Sequence, residues 1–184
     1  MYTYFSRLRT YPLTWLIFII AIVCLAAQVV HFGEHVAQVF SWIAVQQQKA
    51  YMTPFGMWCM HQVGMLLFPH ADPVRQAYLG FEFLHLIGNG IFLIGIIALR
   101  YFVRSRKVVW ALFIETFHLY EHISLSLSAL FIGKSIGLST FFGLQISPWV
   151  NLSYRVWWHF LFNLIPSVLI AMVVYEVWKC RSEK

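Results

Sequence analysis

Glutamate and histidine recur in this chain at depths where leucine and valine would be expected. Four of its seven acidic residues, Glu34, Glu82, Glu115 and Glu121, lie inside otherwise apolar segments, and so do six of its eight histidines: His31, His35, His85, His118, His122 and His159. A carboxylate or imidazole in hydrocarbon is costly unless it is paired, hydrated or bound to something, so such residues mark a functional site. The most informative spacing is Glu-x-x-His, present as Glu82/His85 and again as Glu115/His118. Di-iron and di-manganese carboxylate bundles take one such pair from each of two helices and a glutamate from each of two others. Glu34 and Glu121 are the acids left for those places, and they are also the candidate catalytic carboxylates. The fit is incomplete, because Glu121 shares a helix with Glu115 and the last helix has no central acid.

The ligand set expected from the sequence is therefore His31, Glu34, His35, Glu82, His85, Glu115, His118, His122 and His159. So many imidazoles suit zinc, iron or copper more than magnesium or calcium. Two non-haem irons would activate dioxygen to hydroxylate or desaturate an apolar or lipid substrate arriving from the bilayer; zinc would point to hydrolysis of a lipid amide or ester, with a Glu as general base. Iron is favoured, because the ligands outnumber what one catalytic zinc requires. The double-histidine clusters of membrane desaturases are absent, as is the His-Glu-x-x-His pattern of zinc proteases.

Haem b is the alternative cofactor, held by His85 with His159 or by His31 with His122, though it leaves the glutamates without a role. Two further readings are a proton relay and an accessory subunit of a larger membrane complex with a redox partner. The plainest reading is a set of mutually paired Glu and His⁺ that stabilises helix packing.

The elements that must position these residues follow from composition. The chain has 184 residues, 60% of them hydrophobic and 11% charged, and its mean hydropathy is +0.70. About a quarter of a soluble domain's residues would be charged. The expectation is an all-α, polytopic integral membrane four-helix bundle forming a single transmembrane domain over 1–184. Its spans are read at about 12–46, 75–104, 107–132 and 151–178. The run 55–68, rich in Met and aromatics, is short for a crossing and reads as a re-entrant or interfacial helix. No internal repeat is evident. The three cysteines lack ligand spacing, and the net charge of +6 sits at segment ends, which argues against nucleic acid.

With the N-terminus inside, nine Lys and Arg fall on the cytoplasmic side and Lys49, Arg75, Lys134 and Arg155 on the other, which places both termini in the cytoplasm. In that topology His31 to His35, Glu82 and His85, Glu115 to His122, and His159 all fall in the outer half of the membrane. Each group also shares one helix face, by its spacing of three, four or seven residues.

Overall fold

The computed structural model describes residues 12–45 and 51–182. These residues form five α-helices: α1 Pro12–Val45, α2 Pro54–Leu67, α3 Pro73–Phe102, α4 Arg106–Ile132 and α5 Pro148–Ser182. A 3₁₀ segment, Leu138–Gly143, joins α4 to α5, and no strand occurs among the described residues. Gln46, where the first helix was expected to end, lies outside the described residues, as do Arg7, Arg9, Lys49 and Lys184.

Local chemistry sets the boundaries. Prolines open α1, α2, α3 and α5, where a missing N–H costs nothing. The Asp72 carboxylate accepts from the backbone N–H groups of Val74 and Arg75 at the start of α3. Thr53 caps α2 and Ser105 caps α4 in the same way. Gly133 ends α4 with φ 77°, a left-handed conformation that glycine adopts without strain.

Three helices, α1, α3 and α5, are long and apolar enough to cross a membrane, which is consistent with a membrane protein. α4 has 27 residues and comparable length, but carries the densest group of polar side chains. The four long helices contact in the cyclic order α1, α3, α4, α5. Neighbours in that ring run antiparallel. Gly88 faces His31 and Gly95 faces Cys24; His122 packs on His159 while Lys107 pairs with Glu176. The α1 side chains Phe32 and Trp42 pack on Phe160 and Trp149 of α5.

Burial is inverted relative to a soluble protein. Glu82, Asn89, Glu115, His118 and Asn163 are fully buried, whereas Val29 and Phe40 are each 72% exposed. An apolar core of Phe92, Ile96, Val108, Ala111, Ile170 and Val173 fills one end of the ring. A smaller cluster of Val39, Trp42 and Val156 lies toward the other end, with the polar residues between the two.

The short helix α2 lies on α3 with almost no space between the backbones. A Cβ on Gly80 would come within 2.3 Å of the Met60 carbonyl oxygen, and one on Gly64 within 2.4 Å of the Gln76 carbonyl oxygen. Close approach through small residues is how helices gain contact where lipid removes the hydrophobic driving force.

Candidate metal centre

All six histidines from the apolar segments converge on one place between the four long helices. On α1, His31 and His35 are one turn apart, with Nε2 atoms separated by 3.3 Å. On α4, His118 and His122 repeat that arrangement with Nε2 atoms 3.1 Å apart. His85 of α3 lies with ring centroids 5.5 Å from both His31 and His35. His159 of α5 lies 5.8 Å from His118 and 4.8 Å from His122. His85 stacks on His122 at 5.6 Å and closes the cluster across the ring. One ring nitrogen from each of His118, His122 and His159 falls within 4.8 Å of the others.

Several rings are oriented from behind. His85 Nδ1 donates to the Phe81 carbonyl oxygen at 2.8 Å, and His35 Nδ1 donates to Gln38 Oε1 at 3.2 Å. A ring that donates through Nδ1–H keeps the Nε2 lone pair for a metal, the usual arrangement of a ligating histidine. Gly88 makes room for the His31 ring, since a Cβ there would lie 3.1 Å from its Nδ1. Asn89 Nδ2 donates to the His85 carbonyl at 2.8 Å, and Asn163 Nδ2 donates to the His159 carbonyl at 2.9 Å.

The four glutamates are used differently. Glu115 is buried beside the cluster, its Oε2 3.8 Å from His118 Nδ1, and neither of its oxygens has a hydrogen-bond partner. Glu82 accepts from Ser135 Oγ at 2.6 Å and pairs with Arg155 Nη2 at 2.7 Å, with Tyr78 bonded to Ser135 behind it. Glu34 accepts the Thr53 backbone N–H at 3.2 Å and the Thr53 hydroxyl, which anchors the start of α2. Nearby on α2, burial and then the Glu34 charge hold the Cys59 thiol above the ordinary range. Glu121 accepts the backbone N–H groups of Leu138 and Ser139 at 2.9 and 2.8 Å. The structure thus brings His31, His35, His85, His118, His122, His159 and Glu115 together, and engages Glu34 and Glu121 with the segments that follow their helices and Glu82 with Ser135 and with Arg155 of α5.

Sequence reasoning set Asn89 on one helix face with Glu82 and His85, and Asn163 four residues from His159, without giving either amide a role, and it gave none at the site to Gln38, Tyr78, Ser135 or Arg155, whose partners are the carboxylates and imidazoles just described. It also passed over a repeated pattern. His-x-x-Glu-His stands at His31 to His35 and at His118 to His122, and His-x-x-x-Asn at His85 to Asn89 and at His159 to Asn163. Both Glu residues of the first pattern hold the next segment against a glycine: a Cβ at Gly56 would lie 2.7 Å from Glu34 Oε2, and one at Gly137 would lie 2.6 Å from Glu121 Oε1. The expectation of no internal repeat is corrected accordingly. The intervening α2 in one half and the shorter 3₁₀ segment in the other destroy any fixed period.

Fold and site together define an all-helical protein with an apolar exterior and a six-histidine cluster, five of its rings buried and His31 half-buried. The chain belongs to the family of unknown function DUF6008, which matches residues 4–184. No curated protein and no solved structure matches it.

Proposed function

We propose that this protein is an integral membrane metalloprotein whose histidine cluster holds a non-haem metal centre acting as an oxidoreductase on a lipid or other apolar substrate. In this reading α4 crosses the membrane together with α1, α3 and α5 as a four-helix bundle, α2 lies at the outer interface, and both termini are cytoplasmic. The observation that carries it is the convergence of six imidazoles from four helices, with both His159 nitrogens and both Glu115 oxygens lacking any hydrogen-bond partner. Buried polar atoms without partners are rare and call for a missing ligand or function. Six protonated rings at this spacing would be severely repulsive in a buried site, whereas neutral rings offer lone pairs.

The donor set suits iron, copper or zinc. When bound, such a metal would supply activation of dioxygen or water. The protein's own groups do the rest. His35 and His85 present Nε2 inward, Glu115 supplies a carboxylate at His118, and the apolar walls exclude bulk water. An apolar cavity of about 700 Å³ lies between α1, α3 and α5, bounded by Leu25, Phe32, Phe92 and Val174. Its polar end is Gln28, which donates to Asn163 Oδ1 at 2.9 Å. A hydrocarbon chain entering from the lipid would lie in this cavity with its end toward Gln28 and the histidines.

Haem fits less well, because beside His85 and His159, the pair at 6.1 Å, the His122 ring lies 5.6 and 4.8 Å from the two and the His35 ring 5.5 and 6.1 Å, in the space a porphyrin disc would need. The test is elemental analysis and absorption spectroscopy on one detergent-purified sample. Iron, copper or zinc in at least stoichiometric amount without a Soret band is the expected result. A Soret band would replace this reading with electron transfer, and metal-free protein would leave a helix-packing role.

A further inference from the structure

We infer that the cluster holds two metal ions, one in each half of the chain, the first bound by His31, His35 and His85 and the second by His118, His122 and His159. This rests on the metal-centre reading above and deepens it. The sequence pattern points to paired halves, and the pair of Nε2 atoms one turn apart on α1 recurs on α4.

Each half consists of a long helix bearing His-x-x-Glu-His, a short segment gripped by that glutamate, and a second long helix bearing His-x-x-x-Asn. Within the first half the three ring-centroid separations are 4.8, 5.5 and 5.5 Å. Within the second they are 4.7, 4.8 and 5.8 Å. Because neighbouring helices are antiparallel, α1 and α4 run in the same direction, so the halves are related by an approximate two-fold axis along the bundle. Parallel repeats with an axis along the membrane normal are a known architecture of membrane proteins.

The ligand spacing argues for two ions over one. A metal held at about 2.0–2.1 Å by two imidazoles in tetrahedral geometry separates their nitrogens by about 3.3 Å. The Nε2 pairs measure 3.3 Å on α1 and 3.1 Å on α4. Histidines four apart on a helix are an established two-point metal grip, and here two such grips stand on opposite members of the ring. The grip on α4 already has His159 with a ring nitrogen within 4.8 Å of its own, whereas the grip on α1 has His85 at ring-centroid distance only, 5.5 Å from both of its rings, and needs the His85 ring to move inward on binding. Glu34 and Glu121 then act as latches, not ligands, because each is consumed by backbone N–H groups of the following segment. Glu115 has no counterpart in the first half, so the second site has a carboxylate beside His118 that the first lacks. The two ions would therefore be inequivalent in charge environment although alike in imidazole count.

The test uses the full chain in detergent, stripped with chelator and titrated with Co²⁺, reading visible absorption and bound cobalt together. The unsubstituted chain is expected to take up two equivalents, His85→Ala and His159→Ala one each, and the double variant none. Far-UV circular dichroism checks that the helices persist. Where a substitution costs helicity, His31→Asn and His118→Asn replace it. One equivalent in the unsubstituted chain would overturn the two-ion assignment while keeping the metal centre. Two equivalents that are both lost on either single substitution would overturn the division by halves. A folded chain that binds no cobalt would overturn the metal-centre reading itself.

Discussion

Glu121 shows how misleading an acid's address can be when its partners are backbone groups. Its place between His118 and His122 suggests a ligand or a general base, yet it receives two amide N–H groups from the segment that follows α4 and is 2% exposed. Glu121→Ala would strand the buried Ser139 N–H and leave the half-buried Leu138 N–H without its acceptor, and a buried unsatisfied group costs about 1–3 kcal/mol. The variant is expected to unfold at lower temperature in a detergent melt while retaining the bound metal of the parent. Loss of metal in a variant with unchanged melting would return Glu121 to the ligand set. Glu115 is the opposite case, a carboxylate without partners beside an imidazole, and the only acid of the four that lacks a structural engagement.

At the scale of elements, α2 owes its position to two glycines. Gly64 and Gly80 bring the backbones of α2 and α3 so close that any side chain must part them. Gly64→Val and Gly80→Val are each expected to destabilise the α2–α3 contact by about 1–3 kcal/mol, the usual cost of overpacking. Amide exchange over Pro54–Leu67 should rise while exchange in α4 stays the same. Uniform acceleration over all helices would show that the contact supports the whole fold. The placement of α2 also matters for the site, since Glu34, one residue before His35, anchors its first turn. Glu176 likewise finds a partner, Lys107, on another helix.

Among the described residues, the histidines and glutamates of the long helices gather inside while large apolar side chains such as Val29 and Phe40 face outward, which is consistent with a membrane protein. If the four long helices all cross, both termini lie on one side and the segment 133–147 on the other. Reporter fusions after residue 184 and before residue 1 are expected to give the same cytoplasmic signal, and a thiol probe that cannot cross the membrane should reach Lys134→Cys only from outside. Termini on opposite sides would mean that α4 does not span. The proposed two-fold relation also belongs to this scale, for it would pair α1 with α4 and α3 with α5 and depends on how the ring closes.

Much of the molecule could be read from the residues alone, and for a clear reason. Helices in lipid must satisfy their backbone internally, so apolar length and the prolines and Asp72 at their starts mark them without reference to neighbours. The six histidines were legible because a polar residue in hydrocarbon is conspicuous by contrast. The tertiary structure alone decided what the glutamates do. Glu34, Glu82 and Glu121 are set by contacts with Thr53, Arg155, Leu138 and Ser139, residues whose separation along the chain carries no signal and whose donors are partly backbone N–H groups with no side-chain identity. Spacing on one helix places a carboxylate on a face; only the packed neighbours determine whether a metal, an arginine or an amide meets it there.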